Sequence, residues 1–172
     1  VADMFETMYE ANGVGLAATQ IAEAVRVLVI DLDPSKEAAN MPEVQDELDA
    51  FLFKGAQEFI NPKIVSKQGS IVWEEGCLSV PGYTDQVTRA EHIEVEALDR
   101  NGELFRLEAA GLYAVALQHE IDHLDGKVFV QYLSRLKRDS VKRKMNKIKK
   151  SGIDDALKPP PTFNSHYQAP TS

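Results

Sequence analysis

The sequence is poor in the features that mark secreted, membrane-spanning or nucleic-acid-binding proteins. It has a single cysteine, Cys77, among 172 residues, which excludes an intramolecular disulfide framework. Its apolar runs, such as VRVLVI at residues 25–30, are far too short to cross a bilayer, and no basic-then-apolar leader precedes them. The net charge of -8 argues against a general nucleic-acid binder. We therefore expect a cytoplasmic protein with no membrane or DNA partner.

The residues that are present predict an α+β fold. Hydrophobic residues make up 44% of the chain and charged residues 27%, as in a typical globular protein. Alternating apolar residues predict strands at 92–98 and 103–107, joined by a hairpin turn at 99–102. Further strands are predicted at 25–30, 59–60 and 63–66, with Asn61 and Pro62 as a break. Helices are predicted at 3–10, 109–124 and 135–150. Because strands precede the main helices rather than alternating with them, the class is α+β.

The chain is predicted to form one domain over residues 1–158. Residues 159–172 are rich in Pro, Ser and Thr, and we expect them to be a disordered tail. The acidic stretch 31–55 contains Pro34 and Pro42 and predicts a long surface loop.

Residues 119–123 read His-Glu-Ile-Asp-His, an HExxH motif in a predicted helix. Helical positions i and i+4 lie on one face, so His119 and His123 can reach a single metal ion. Glu120 then lies beside them, within reach of a water molecule on that ion. The motif alone also occurs in ordinary surface helices, so a metal site needs support from elsewhere in the chain.

A catalytic metal site needs a third protein ligand and one open position. Thermolysin-like peptidases take that ligand from a downstream glutamate, and no glutamate follows Glu120. The metzincin pattern requires a histidine where this sequence has Phe129. The remaining soft donor is Cys77, although a lone cysteine is more often a small buried apolar residue. Together with the incomplete HExxH motif, Cys77 predicts a Cys-His-His site for Fe(II), Zn(II), Co(II) or Ni(II).

Three segments in one order carry a resemblance to a known family. They read GVGLAATQ at residues 13–20, EGCLS at 75–79 and QHEIDH at 118–123. Through them the sequence resembles the peptide deformylases, over residues 1–150 apart from 31–55. The resemblance implies antiparallel β-sheets packed around a central HExxH helix, with a C-terminal helix. It also implies an N-terminal segment of the catalytic domain that this sequence lacks.

The activity implied by this resemblance is removal of the N-formyl group from the initiator methionine of newly made polypeptides, with release of formate. Cys77, His119 and His123 are the implied ligands of one divalent metal ion, natively Fe(II), with Zn, Ni or Co as possible substitutes. Glu120 is the implied carboxylate that takes a proton from water and later returns it to the leaving amine.

The remaining roles concern the oxyanion and the substrate, an N-formyl-methionyl peptide. The side chain of Gln20 and the backbone N–H of Leu78 are the implied oxyanion donors. Gln20 also has a structural alternative, as an amide that ties down the glycine-rich segment. Gly15 is implied to bond the substrate backbone, which lies along a strand. The residues expected at the substrate are Val14, Gly15, Trp73, Glu75, Leu112, Val115 and Ala116.

Two other functions remain open from the residues alone. A metallopeptidase would cut internal peptide bonds and would need a downstream acidic or histidine ligand. A metal-stabilised binding module would have four protein ligands, with His92 as the fourth, and no use for Glu120.

Asp122, between the two histidines, faces solvent in one interpretation and pairs with Arg89 in a buried site in the other. A metal-bound histidine usually gives its second N–H to an oxygen, and the sequence does not identify that oxygen.

The predicted helix at 135–150 is strongly basic, with Asp139 as its only acid. One interpretation is a solvated amphipathic helix that packs Val141, Met145 and Ile148 on the body. The other, implied by the resemblance, is docking to the ribosome through its RNA, with which the clustered positive charge is consistent.

Overall fold

A computed structural model describes residues 1–32 and 55–151. The predicted loop at 31–55, apart from its ends, and the predicted tail at 159–172 lie outside the described residues. The elements in chain order are α1 (Ala2–Glu10), β1 (Gly15–Ala17), β2 (Val27–Ile30), β3 (Gln57–Gln68), β4 (Ile71–Cys77), β5 (Val80–Arg89), β6 (His92–Leu98), β7 (Leu104–Ala110), α2 (Gly111–Leu124) and α3 (Arg135–Ser151). Two 3-10 turns, at Ala18–Ile21 and Phe129–Tyr132, complete the described elements.

The strands form two antiparallel sheets. The larger sheet has five strands in the order β1-β2-β3-β6-β7, and the smaller one pairs β4 with β5. Every residue of α2 after Gly111 is buried, so this helix forms the centre of the molecule. The predicted α+β class, with antiparallel sheets around the HExxH helix and a C-terminal helix, is confirmed. No helix in the described part of the chain has the length and apolarity needed to span a membrane.

The main core lies between α2 and the larger sheet. Leu28, Phe59 and Val95 from three neighbouring strands belong with Leu117 of the helix to one buried cluster, and all four side chains have no solvent exposure. Alternate residues of a strand point to opposite faces, so each strand contributes every second side chain to this core. This packing fixes the position of α2 relative to the larger sheet.

Strand β3 differs from the prediction of two short strands. It runs without interruption through Asn61 and Pro62, and its pairing with β6 shifts register between Ile60 and Lys63. Asn61 has a φ of 52°, in the left-handed region that asparagine tolerates. A β-bulge therefore accommodates the proline that the sequence prediction took as the end of a strand.

The boundary between β7 and α2 also differs from the prediction. The helix begins at Gly111 rather than at residue 109, because Ala109 and Ala110 still pair with Ile93 and His92 in the β6–β7 ladder. The β6–β7 turn is as predicted, since the Asp99 N–H donates to the carbonyl of Glu103.

A buried group of charges joins both strands of the smaller sheet to α2. Arg89, at the end of β5, donates to both carboxylate oxygens of Glu75 on β4, at 2.7 and 3.0 Å. Another N–H of the same guanidinium donates to Asp122 on α2, which also accepts from the Tyr132 hydroxyl at 2.8 Å. The buried pairing of Asp122 with Arg89 is therefore the correct one of the two interpretations. One arginine therefore pairs with two buried carboxylates.

Replacing Arg89 by Met should lower the free energy of unfolding by about 3–5 kcal/mol, because Glu75 and Asp122 would keep their burial and lose their cation. The matched control is Arg106→Met. The Arg106 side chain is 60% exposed and pairs with carboxylates on the surface, so its loss should cost less than about 1 kcal/mol. Urea denaturation of both variants measures the difference. Equal losses would contradict the structural role given to Arg89.

Candidate active site

Cys77, His119 and His123 converge on one point. The two histidines lie on successive turns of α2, and Cys77 is the last residue of β4. The His123 Nε2 atom lies 3.1 Å from the Cys77 Sγ and 3.1 Å from the His119 Nε2. All three donor atoms lie within 4.8 Å of one another, and no other such group of three occurs among the described residues. The structure thus brings together the three predicted metal ligands.

The protonation of these side chains follows from their contacts with one another. Burial opposes ionisation of the Cys77 thiol, but hydrogen bonds and charges of His119 and His123 outweigh it and lower its pKa to about 5. Burial also opposes a charge on His119, but hydrogen bonds with Cys77 and Glu75 raise its pKa to about 10. These contacts favour the thiolate of Cys77, the form in which cysteine binds metals.

A divalent cation of borderline softness fits this set of donors. One thiolate and two imidazoles suit Zn, Fe, Co or Ni better than Mg or Ca, which prefer oxygen ligands. The donor group contains no fourth His, Cys, Asp or Glu among the described residues, and His92 is exposed at the start of β6. The proposed fourth ligand of a closed binding module is therefore not part of this group.

Glu120 lies next to the two histidines in sequence and is buried beside β1. Burial raises the pKa of its carboxyl to about 7, although His119 and His123 partly oppose the shift. Its Oε2 atom is buried and has no hydrogen-bond partner in the described part of the protein. An unpaired buried carboxylate oxygen is costly. Here it offers an acceptor for a water molecule or a substrate group.

The Gln20 amide is oriented by a bond at one end and faces the donor group with the other. Its Oε1 accepts from the Ala17 N–H at 2.9 Å, so its Nε2 points towards the Cys77 Sγ at 3.7 Å and the Ser79 hydroxyl at 3.3 Å. The structural and the catalytic interpretation of this residue are thus compatible, because they use different atoms. Leu78 directly follows Cys77, between β4 and β5.

The oxygen that accepts from a metal-site histidine belongs to Glu75. The His119 Nδ1 lies 2.8 Å from the Glu75 Oε2, and this carboxylate is fully buried. Burial raises the pKa of Glu75, but its bonds with Arg89 and His119 outweigh burial and hold the pKa below its usual value. We expected Glu75 to contact the substrate. Both of its oxygens are already bonded within the protein, so the structure gives it a different place, behind His119.

Two residues of the quoted motifs received no role from the sequence and have one in the structure. The Gln118 amide donates to the carbonyls of Ala90 and Ala114 and accepts from the Ala90 N–H, which ties α2 to the β5–β6 connection. The Thr19 hydroxyl donates to the His123 carbonyl at 2.9 Å. Their positions in the GVGLAATQ and QHEIDH segments were the only sign in the sequence that these two residues matter. Their roles could not be predicted, because their partners include backbone atoms distant in the sequence.

An apolar wall adjoins the metal ligands. Leu112 and Ala116 lie about two turns and one turn, respectively, before His119 on the same face of α2, because positions i, i+4 and i+7 share a face. Both belong to the main core, and Val14 and Trp73 pack against it while remaining partly exposed. Val115 is fully buried.

The chain is similar to characterised deformylases in sequence. The family model described as "Polypeptide deformylase" matches residues 1–139. The peptide deformylase of Neisseria gonorrhoeae is 52% identical over 153 residues, covering 89% of this chain and 81% of that protein. The enzyme of Chromobacterium violaceum is 48% identical over 151 residues, covering 88% and 80%.

Solved structures agree with the sequence comparison. A crystal structure of peptide deformylase from Ehrlichia chaffeensis superposes with a TM-score of 0.74 at 42% identity, covering 88% of this chain and 82% of that one. A complex of the same enzyme with actinonin gives a TM-score of 0.73 at 44% identity, covering 85% and 79%. This chain therefore belongs to the peptide deformylase family, the metal-dependent hydrolases that remove the N-formyl group from the initiator methionine of newly made polypeptides.

Proposed function

We propose that Glu120 is the general base of the deformylase reaction in this chain, and that Cys77, His119 and His123 hold its divalent cation. One observation carries this assignment. A buried carboxylate with an unpaired oxygen lies on the same helix as two histidines, and those histidines meet a thiolate from a separate strand. Three protein ligands would leave a four-coordinate ion one position for water, as a catalytic site requires.

The cation is proposed to be Fe(II) natively, with Zn, Ni or Co able to replace it at the same donors. When bound, such an ion supplies Lewis acidity, which acidifies a water molecule and polarises the formyl carbonyl. Glu75 holds the His119 ring through its Nδ1 atom, so His119 presents its Nε2 to the ion in a fixed orientation.

Glu120 moves the protons of the reaction. Its carboxylate accepts a proton from the attacking water, and its pKa near neutrality suits this exchange. The same carboxyl group then donates the proton to the leaving amine, and formate departs. Burial favours the protonated intermediate state of Glu120, because a neutral carboxyl costs less to bury than an ion.

Negative charge develops on the former carbonyl oxygen during attack. The Gln20 Nε2 and the Leu78 N–H are proposed as donors to that oxygen, and one such donor contributes about 3 kcal/mol in comparable sites. Because the Gln20 carbonyl is held by Ala17, its NH₂ group is already directed towards the site before substrate binds.

The substrate is proposed to bind by its backbone and its methionine side chain. The described strands pair β1 with β2 alone, so the other edge of β1, at Gly15, is available to a peptide backbone. The methionine side chain is proposed to lie against the apolar wall of Val14, Trp73, Leu112, Val115 and Ala116. A formyl carbon bears only hydrogen, so a tight pocket at the ligands would exclude larger acyl groups.

Replacing Glu120 by Gln should lower kcat on an N-formyl-methionyl peptide by about 10²–10⁴-fold, because the amide cannot accept the proton of water. Metal content should stay at the wild-type level, since Glu120 is not among the donors. Glu108→Gln, which changes an exposed carboxylate on β7, is the control and should leave kcat unaltered. Unchanged turnover in the Glu120 variant, or cleavage of casein in place of the formyl peptide, would contradict the assignment.

Replacing Cys77 by Ala should abolish stoichiometric metal binding, because two imidazoles alone bind weakly. Elemental analysis of protein purified without oxygen is expected to find one iron per chain in the wild type and none in this variant. His92→Ala, at an exposed histidine outside the donor group, should keep its metal. Metal retained after loss of Cys77, or lost with His92, would exclude the proposed ligand set.

We also propose that α3 docks this cytoplasmic enzyme on the ribosome, where its substrate emerges. The helix packs on the body through buried Val141 and half-buried Met145, two of the three residues of its predicted apolar stripe. Lys137 donates to Asp85 and Lys144 donates to the Gly82 carbonyl, both on β5, so these two lysines hold the helix in place. Three further basic residues of the helix are exposed: Arg138, Lys142 and Lys149.

Reversing the charges of Arg138, Lys142 and Lys149 to Glu should reduce co-sedimentation with ribosomes and lower the salt dependence of binding by about one unit of slope per lost phosphate contact. Turnover of a short formyl peptide should stay at the wild-type value, because the three side chains are exposed and none belongs to the donor group. Pelleting that is unaffected by the triple change would leave α3 as a solvated packing helix.

A further inference from the structure

Gly15 lies against the carboxylate of Glu120, with no room for a side chain between them. A Cβ atom built on Gly15 would lie 2.7 Å from the Glu120 Oε1, 2.8 Å from its Cγ and 2.9 Å from its Cδ. Non-bonded carbon atoms normally stay about 3.5–4.0 Å apart. We propose that Gly15 is a positioning residue for catalysis, whose missing side chain gives Glu120 the space in which it works.

The direction of the Gly15 side chain follows from its place in β1. Alternate residues of a strand share a face, so Gly15 points the same way as Ala17. Ala17 packs into the core formed with α2, whereas Leu16 packs on the opposite side with Met8 of α1. A side chain at position 15 would therefore enter the space between β1 and α2, where Glu120 lies.

Neither side of this contact can yield easily. Strand β1 is paired with β2 from Gly15 to Ala17, and just beyond it Thr19 is bonded to the His123 carbonyl. Glu120 could not relieve the overlap by rotating its carboxylate alone, because the Cγ atom is also too close. An alanine at position 15 would force Glu120 into another rotamer, which carries the carboxylate away from the ligands on the same helix.

Gly13, in the same GVGLAATQ segment, has room for a side chain, so the lack of room at Gly15 is specific to that position. A Cβ atom on Gly13 would lie 3.4 Å from the Met8 carbonyl oxygen and 3.5 Å from the Met8 Cγ, which are contacts that a small shift accommodates. Gly13 therefore supplies a matched control two residues away.

This inference rests on the proposed function and deepens it. It separates two roles of Gly15: its backbone offers an edge to the substrate, and its missing side chain leaves space for Glu120. The N–H and C=O groups of a strand lie in the plane of the sheet, so an added Cβ atom leaves the edge offered to the substrate backbone in place. Displacement of Glu120 should thus appear in kcat more than in KM. A misplacement of about 1 Å can cost about a hundredfold in rate.

The test is a double-mutant cycle between Gly15→Ala and Glu120→Ala, read by thermal unfolding and by formyl-peptide turnover of the metal-loaded protein. In the wild-type background Gly15→Ala should lower Tm by about 3–10 °C, as expected for overpacking, and kcat by about a hundredfold, with KM within about threefold of the wild type. In the Glu120→Ala background the same change should leave Tm unaltered, because the overlapping atoms are gone. Gly13→Ala should keep both Tm and kcat.

Each outcome decides the proposal. An insoluble Gly15→Ala variant with a soluble double variant supports it, because removal of Glu120 then restores folding. An equal loss of Tm or of solubility in both backgrounds overturns it, as does a Gly15→Ala enzyme with wild-type kcat. If Glu120→Ala alone retains full turnover, the proposed function fails, while the Tm cycle still reports the steric coupling on its own.

Discussion

The structure depends on satisfying a run of polar side chains inside the most deeply buried helix. Residues 118–123 of α2 are all buried, yet they include an amide, two imidazoles and two carboxylates. A buried polar group without a partner costs free energy, so each needs one from outside the helix. Asp122 accepts a hydrogen bond from Arg89, and His119 is bonded to Glu75. Only Glu120 keeps an unpaired oxygen within the described structure.

This requirement explains why the smaller sheet is built as it is. Strand β4 delivers Glu75 and, two residues later, Cys77, and alternate strand positions share a face. The same strand therefore supplies a metal donor and the residue that orients another donor. Arg89, at the end of β5, neutralises the carboxylate that this arrangement buries. The EGCLS segment thus contains both Cys77, a proposed metal donor, and Glu75, the carboxylate that orients His119.

The three donors that the structure brings together could be predicted from the sequence because their chemistry is local or scarce. HExxH fixes two ligands by helical periodicity, and Cys77 is the only thiol in the chain. The partners of those ligands were less accessible, because Glu75 lies 44 positions from His119 and nothing in periodicity joins them. The same limit applies to Gly15, where a glycine is readily recognised but the carboxylate that excludes its side chain is 105 positions away (120 − 15).

Fold prediction succeeded and failed for similar reasons. The turn at 99–102 was recognised because its residues bond one another. The continuity of β3 was missed because the bulge at Asn61 is held by the neighbouring strand, which a local pattern does not contain. Helix α3 was recognised from its apolar stripe, but the bonds of Lys137 and Lys144 with β5 were not, because their partners are more than fifty positions away.

The substrate edge proposed for strand β1 has a consequence for the range of polypeptides that would bind there. It is only three residues long and, in the described part of the chain, pairs with β2 on one side alone. A peptide added at such an edge is held through its amide groups, which all amino acids except proline share in full. Recognition of this kind is indifferent to the side chains that follow the first methionine. A short strand edge is therefore suited to an enzyme that meets the beginning of almost every protein a cell makes.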